Sequence, residues 1–222
     1  MTSPVVIITG SSRGLGAAAA RFTAQMGARV VLNARSRPEL GAVAQDIQSG
    51  GGTALAIAGD VSLDADCQRM VSETINRFGR LDALVNNAGV LEPIARFAEA
   101  DPQAWERNRA DNQFGVVKLT RAALPYLRAA HGRAIHVSTG AALKPYHGFS
   151  AYSVSKAALN QFNRALALEE PEVTSLALRP GKVDTEMQSL LRREGGQGML
   201  AEQYAQHVRL YTRGELLPPE LP

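Results

Sequence analysis

Residues 4–22 read PVVIITGSSRGLGAAAARF. A β-branched run leads into a turn holding Gly10, Gly14 and Gly16, and the turn opens into an alanine-rich stretch with helical spacing. Residues that are apolar on consecutive positions suit a strand covered on both faces. Each glycine has a task at such a turn: a tight bend, a close backbone approach to a phosphate, and close packing of helix on strand. The following helix points its positive N-terminal end at the same place. Arg13 adds a cation, and Ser12 and Leu15 complete the turn. The unit reads as strand, anion-binding turn, helix.

The same texture repeats along the chain. Strand-like runs fall at 4–9, 29–34, 53–58, 82–87, 133–139 and 173–179. Helical spacing fills 14–27, 38–49, 63–78, 102–130 and 150–169, the fourth divided near 109–112. Leu15, Ala18, Ala19, Phe22 and Met26 form one stripe of the first helix, and Pro171 helps end the last. Strands alternating with helices predict an α/β chain with a doubly wound parallel sheet in three layers. Ligands of such sheets bind beyond the carboxyl ends of the strands.

Composition narrows the function. The chain has 222 residues, 45% hydrophobic and 20% charged, an ordinary globular balance that predicts a single domain over 1–222. A formal charge of +3 without a long basic run argues against nucleic acid and suits a small anionic ligand. The lone cysteine, Cys67, reads as a small core residue and excludes a cysteine-built zinc site or an internal disulfide. The four histidines show no metal-ligand spacing, so no metal is expected. No signal peptide and no membrane-length apolar run is visible, which predicts a cytoplasmic protein away from membranes.

The later strand ends refine the ligand. After the second strand come Asn33, Arg35, Ser36 and Arg37, with no carboxylate before Glu39. Sheets that bind NAD commonly place an acid there; arginines suit a 2′-phosphate instead, so the expected cofactor is NADP(H). Asp60 and Val61 are placed to meet an adenine ring, although Asp60 also suits a turn or helix cap. Asn86 and Asn87 with Ala88 and Gly89 offer side-chain hydrogen bonds and close backbone approach at the fourth strand end. Tyr152 and Lys156, four residues apart, share one face of a helix. A cation beside a phenol favours the phenolate and lowers its pKa from ~10.

TGSSRGLG (9–16), NNAG (86–89), YSVSK (152–156) and RPGKVDTEM (179–187), in that order, resemble the short-chain dehydrogenase/reductase family. Within it, the stretches STGAALKPYHGFSAYSVSKAALNQFNRALALEEPEV and PGKVDTEMQ look most like sepiapterin reductase and benzil- and diketone-type carbonyl reductases. The resemblance implies a Rossmann-type fold and reduction of a ketone or diketone by NADPH. Tyr152 would donate the proton, with Lys156 beside it, also binding the nicotinamide ribose. Thr139, thirteen residues before Tyr152, would orient the carbonyl in place of the usual serine, with Ser138 as a substitute. Asn112 would support a water chain to Lys156. Pro180, Gly181, Val183 and Thr185 would meet the nicotinamide, with Lys182 a departure from the family's apolar residue. Leu143, Tyr146, Phe149 and Met187 would wall the substrate, with His147 a surface neighbour. Residues 188–212 would form a mobile lid hinged at the glycines of 195–198, before a proline-rich tail at 213–222. The resemblance implies that relatives continue into a further helix and a seventh strand; if this sequence is complete, the sixth strand is expected to be a sheet edge. The family forms homo-oligomers, altered here if that strand is truly missing. An NADP+-dependent alcohol dehydrogenase and a catalytically silent NADP(H)-binding protein remain the other readings.

Overall fold

The sheet grows from β1 (Val5–Thr9), whose alternate residues face opposite ways, as a strand's pleat requires. Val5 and Ile7 join one apolar cluster, and Val6 and Ile8 join another. In the computed structural model, which describes residues 3–221, β1 is flanked by β2 (Arg29–Ala34) and β4 (Ala83–Asn86). β3 (Thr53–Ala58), β5 (Arg133–Val137) and β6 (Thr174–Leu178) complete a sheet of order β3-β2-β1-β4-β5-β6. Every pairing is parallel. The chain leaves β1 in one direction for β2 and β3, then returns to the other side for β4. The carboxyl-end crevice between β1 and β4 is therefore the switch point where such sheets bind ligands.

Helices α1 (Gly14–Gln25) and α2 (Arg37–Ser49) cover one face, burying Ala17, Ala20, Leu40 and Ile47. Helices α3 (Asp64–Phe78), α5 (Gly115–Ala129) and α6 (Ser150–Glu169) cover the other, with Met70, Leu119, Leu127 and Leu166. Cys67 lies fully buried among them, and burial pushes its thiol up to about 11, as suits a core residue. The division expected near 109–112 is a single π-helical turn, 110–114, between α4 (Pro102–Arg109) and α5.

Three expectations need correction. The stripe ending in Phe22 and Met26 does not face the sheet; these residues are 65% and 72% exposed, and Ala17, Ala18, Ala20 and Ala24 are buried instead. Small side chains let α1 lie close to the strands, and bulky ones would hold it off. The glycines of 195–198 are close-packing positions in α7 (Glu186–Gly198) rather than an open hinge. A Cβ on Gly198 would strike the Ile94 carbonyl, and one on Gly195 would lie 3.2 Å from both the Met199 sulfur and the Tyr204 ring. The tail after α8 (Ala201–Thr212) also does more than trail away. Leu217 donates its N–H to the Lys182 carbonyl at 2.9 Å and accepts from the Asp184 N–H at 2.8 Å, an isolated parallel bridge. β6 is an edge strand, and Leu176 and Leu178 on it stay nearly half exposed.

Candidate active site

A cleft of about 970 Å³ opens along the carboxyl ends of the strands. Its first wall is the glycine turn. Gly10 and Gly14 adopt φ of +64° and +54°, a region that side chains rarely enter. A Cβ on Gly10 would sit 2.9 Å from the Ala88 Cα, so the turn lies against the 86–89 segment. Thr9 ties the two together: its Oγ1 accepts from the Asn87 and Ala88 N–H groups, both at 3.0 Å. The Asn87 amide donates to the Thr9 and Gly10 carbonyls. Arg13 stands at the N-cap of α1 without bonding the helix through its side chain. The first N–H groups of that helix thus face the cleft without a side-chain cap.

The turn residues 10, 12, 13, 14, 15 and 16 all line the cleft, as do Asn33, Arg35, Ser36, Asp60, Val61, Asn87, Ala88 and Gly89. Two of them also have structural partners of their own. Asn33 is buried, and its amide donates to the Ile57 and Gly59 carbonyls at 3.0 and 3.1 Å, so that side chain ties β2 to β3. Asp60 accepts the Ser62 N–H at 2.8 Å, the turn role weighed for it. Arg35 projects into solvent, 66% exposed, with Asp111 3.9 Å away. Burial raises the Asp111 pKa, and Arg35 pulls against that rise.

The second wall holds Tyr152 and Lys156, one turn apart near the start of α6 and 8% and 4% exposed. Lys156 Nζ donates to the Val137 carbonyl at 2.8 Å and lies 5.9 Å from the centre of the Tyr152 ring. That bond turns the ammonium toward β5 while leaving it beside the Tyr152 ring. Burial pushes the Tyr152 phenol up to about 12, with only a hydrogen bond to Thr139 acting against the rise. The lowering expected from the lysine does not prevail in this chain alone, because desolvation outweighs a cation that does not reach the oxygen. Burial also lowers Lys156 to about 8.

Thr139, not Ser138, meets the tyrosine. Ser138 turns away to donate to Asn160 at 2.7 Å in α6, so only Thr139 offers a hydroxyl beside Tyr152. Asn112 is fully buried in the π-helical turn and saturated. Its oxygen accepts the Val90 N–H at 2.8 Å, and its amide donates to the Val90 carbonyl, Asn108 and Ser155. A Cβ on Gly89 would come within 2.8 Å of that oxygen and 3.5 Å of Lys156 Nζ, so both groups converge on Gly89.

Pro180, Gly181, Val183 and Thr185 line the cleft opposite the glycine turn, and Thr185 approaches Gly14. Tyr146, Phe149 and Met187 pack in one apolar cluster with Tyr152 and Leu191. Leu143 does not belong there: it is 61% exposed and lies outside the cleft, because the short 3₁₀ turn at 140–142 carries it outward. His147 accepts the expected surface role in part, its backbone N–H donating to Gln203 and its ring meeting the Gly198 carbonyl at 3.0 Å. His207 was not foreseen as a site residue. It lies 55 residues beyond Tyr152, and only the fold of α8 over the cleft brings it in. Among the described residues no group of three or more His, Cys, Asp or Glu gathers as a metal site would. Among the described residues no helix is long and apolar enough to cross a membrane.

A model of the short chain dehydrogenase family matches residues 4–195. The chain is 34% identical over 227 residues to a benzil reductase of Saccharomyces cerevisiae that forms (S)-benzoin, covering 98% of this chain and 86% of that protein. The crystal structure of the KRED1-Pglu enzyme matches with a TM-score of 0.94 and 41% identity, over 99% of this chain and 91% of that one. A variant actinorhodin polyketide ketoreductase, crystallised with NADPH, matches at 0.88 and 26%, over 98% and 86% of the two chains.

Proposed function

Because this chain belongs to the short-chain dehydrogenase family, oxidoreductases acting on C=O and CH–OH groups, we propose that it reduces a ketone or vicinal diketone with NADPH. The observation that carries this reading is the grouping of Thr139 with the buried Tyr152 and Lys156 at the wall of the strand-end cleft. The residues present fit a dinucleotide. Gly10 and Gly14 keep a bare turn, the α1 amides have no side-chain cap, and Arg13 and Arg35 line the same cleft as cations suited to a 2′-phosphate. A benzil-reducing relative and a ketoreductase solved with NADPH support the substrate class and cofactor.

A nicotinamide held in the cleft would supply the hydride for reduction. The chain's own groups handle the proton. With its pKa pushed up to about 12, Tyr152 is protonated at neutral pH and holds the proton that a carbonyl oxygen needs. Thr139 presents a second hydroxyl at the same place, orienting the carbonyl. When Tyr152 gives up its proton, a phenolate is left in a desolvated site. The Lys156 ammonium, mostly charged at pH 7, is the nearby cation that offsets it. Asn112 holds Val90, Ser155 and Asn108 in register, fixing the floor beneath Gly89 and Lys156. The catalytic unit spans 1–222 as one domain. Helices α7 and α8 form its lid.

The test is NADPH oxidation against a panel of diketones and ketones that includes benzil, run beside NADP+ reduction with the matching alcohols. Faster NADPH oxidation on the carbonyl compounds is expected. Tight NADPH binding with no turnover in either direction would replace this reading with that of a silent dinucleotide-binding protein.

A further inference from the structure

The substrate end of the cleft carries two polar groups that proton transfer does not use. Lys182 follows Gly181 at the carboxyl end of β6, partly buried and lining the cleft. The Leu217 bridge pins its backbone, and among the described residues no carboxylate pairs with its ammonium. Lys144, 5.5 Å from the Tyr146 ring, is close enough to act on Lys182 as a second positive charge. Two cations beside an apolar wall repel each other and attract an anion.

His207 is the second group. It is 5% exposed, lines the same cleft from α8, and its Nδ1 has no hydrogen-bond partner. A buried polar atom left unmatched is costly, and one on a cleft-lining side chain is relieved when a ligand or water pairs with it. The Phe149 ring is a neighbour of both His207 and Tyr152. Its centre is 6.4 Å from the His207 ring and 6.3 Å from that of Tyr152, with the latter pair edge to face. The unmatched imidazole and the unpaired ammonium thus belong to residues that line the same cleft as Tyr152, with the Phe149 ring next to both His207 and Tyr152.

Resting on the proposed reductase reading, we infer that Lys182 and His207 anchor a carboxylate on the substrate. The compounds reduced are then keto acids in which an aromatic ring or similar apolar spacer separates the ketone from the carboxylate. The ketone lies at Tyr152 and Thr139, the spacer lies against Tyr146, Phe149 and Met187, and the carboxylate meets the ammonium. A charge-assisted bond of this kind discriminates by about tenfold or more.

The matched probes are 4-acetylbenzoate and its methyl ester, with benzil as an uncharged control. The wild-type chain is expected to show kcat/KM at least tenfold higher for the acid than for the ester. In Lys182→Met that ratio falls to near one, and in His207→Phe it falls severalfold. Calorimetric titration of both probes into the chain loaded with NADP+ reads the same anchor without turnover, with the acid binding tighter than the ester and Lys182→Met removing the difference. If benzil is reduced but acid and ester are handled alike, the anchor is refuted and the reductase reading stands. If Lys182→Met raises the KM for NADPH instead, the lysine serves the cofactor and the anchor is refuted. Should no carbonyl compound turn over, the reductase reading fails, and equal binding of the two probes then refutes the anchor as well.

Discussion

Arg13 and Arg35, on the side of β1 and β2, stand in solvent, whereas Asn112, Tyr152 and Lys156, on the side of β4 and β5, are almost wholly buried. One cleft is therefore built in two ways. The proposed nucleotide side uses bare backbone, a helix terminus and mobile cations that lose little on waiting in water. The proposed chemical side uses groups already desolvated and tied to neighbours, as Asn112 is by four hydrogen bonds. Preorganised groups need no reorganisation at the moment of reaction, but they make the fold depend on their pairing. Substitutions on the buried side should thus cost turnover, stability or both, and substitutions on the exposed side should cost affinity alone.

The sharpest separation is Tyr152→Phe. Losing a proton donor is expected to lower kcat about a thousandfold, while the KM for NADPH stays within about threefold. Steady-state kinetics on benzil measures both numbers, and turnover near the wild-type level would remove Tyr152 from the mechanism. Asn112→Ala comes next. It leaves the Val90 N–H without a partner and is expected to cost about 3 kcal/mol in urea unfolding, beside lost activity. A variant of full stability would mean that the buried side is less tightly coupled to the fold than its hydrogen bonds indicate.

His136 tests the same side through pH. It is buried in β5, where its Nδ1 accepts from the Asn86 amide at 3.2 Å and burial lowers its pKa to about 4. Lys156 adds to that lowering. The folded value lies below the ordinary 6.5, so the unfolded chain binds the proton first. The contribution is whole above pH 6.5 and is lost as pH falls toward 4, by roughly 2–3 kcal/mol. His207, also lowered to about 4, loses stability over the same window. Urea midpoints between pH 7 and 4.5 should fall less steeply in His136→Gln than in the wild type. Parallel slopes would assign the acid sensitivity elsewhere.

Much of this arrangement is legible in the residue order, for definite reasons. Helix α6 spans Ser150–Glu169, the range its spacing predicts, because Pro171 and the apolar period agree. The strands emerge within one or two residues at each end, since consecutive apolar runs leave little choice. Periodicity could not say which stripe of α1 faces the sheet, and there the small alanines won over Phe22 and Met26. Spacing of four placed Lys156 beside Tyr152 but could not show that its ammonium turns to Val137, nor how far burial shifts the phenol. Leu143 was judged by its nearness in sequence, and a single short turn carries it out of the cleft. His207 reaches the cleft only through α8, a tertiary contact that no local pattern encodes.

Arg35→Ala should give the smallest effect and probes the exposed side. The guanidinium is 66% exposed, and its nearest acid, Asp111, is 3.9 Å away, so little of the fold rests on it. Thermal unfolding should therefore be unchanged. If Arg35 meets a 2′-phosphate, the KM for NADPH rises about tenfold, the scale of one charge-assisted contact, while the KM for NADH stays put. Raising the salt concentration should weaken NADPH in the wild type more than in the variant, because a solvent-exposed pair is screened. Equal losses for the two cofactors would place Arg35 outside the phosphate site and leave Arg13 as the cation to test. A drop in stability would instead mean that the exposed side, too, is held together by its charges, and the contrast between the two walls would fail.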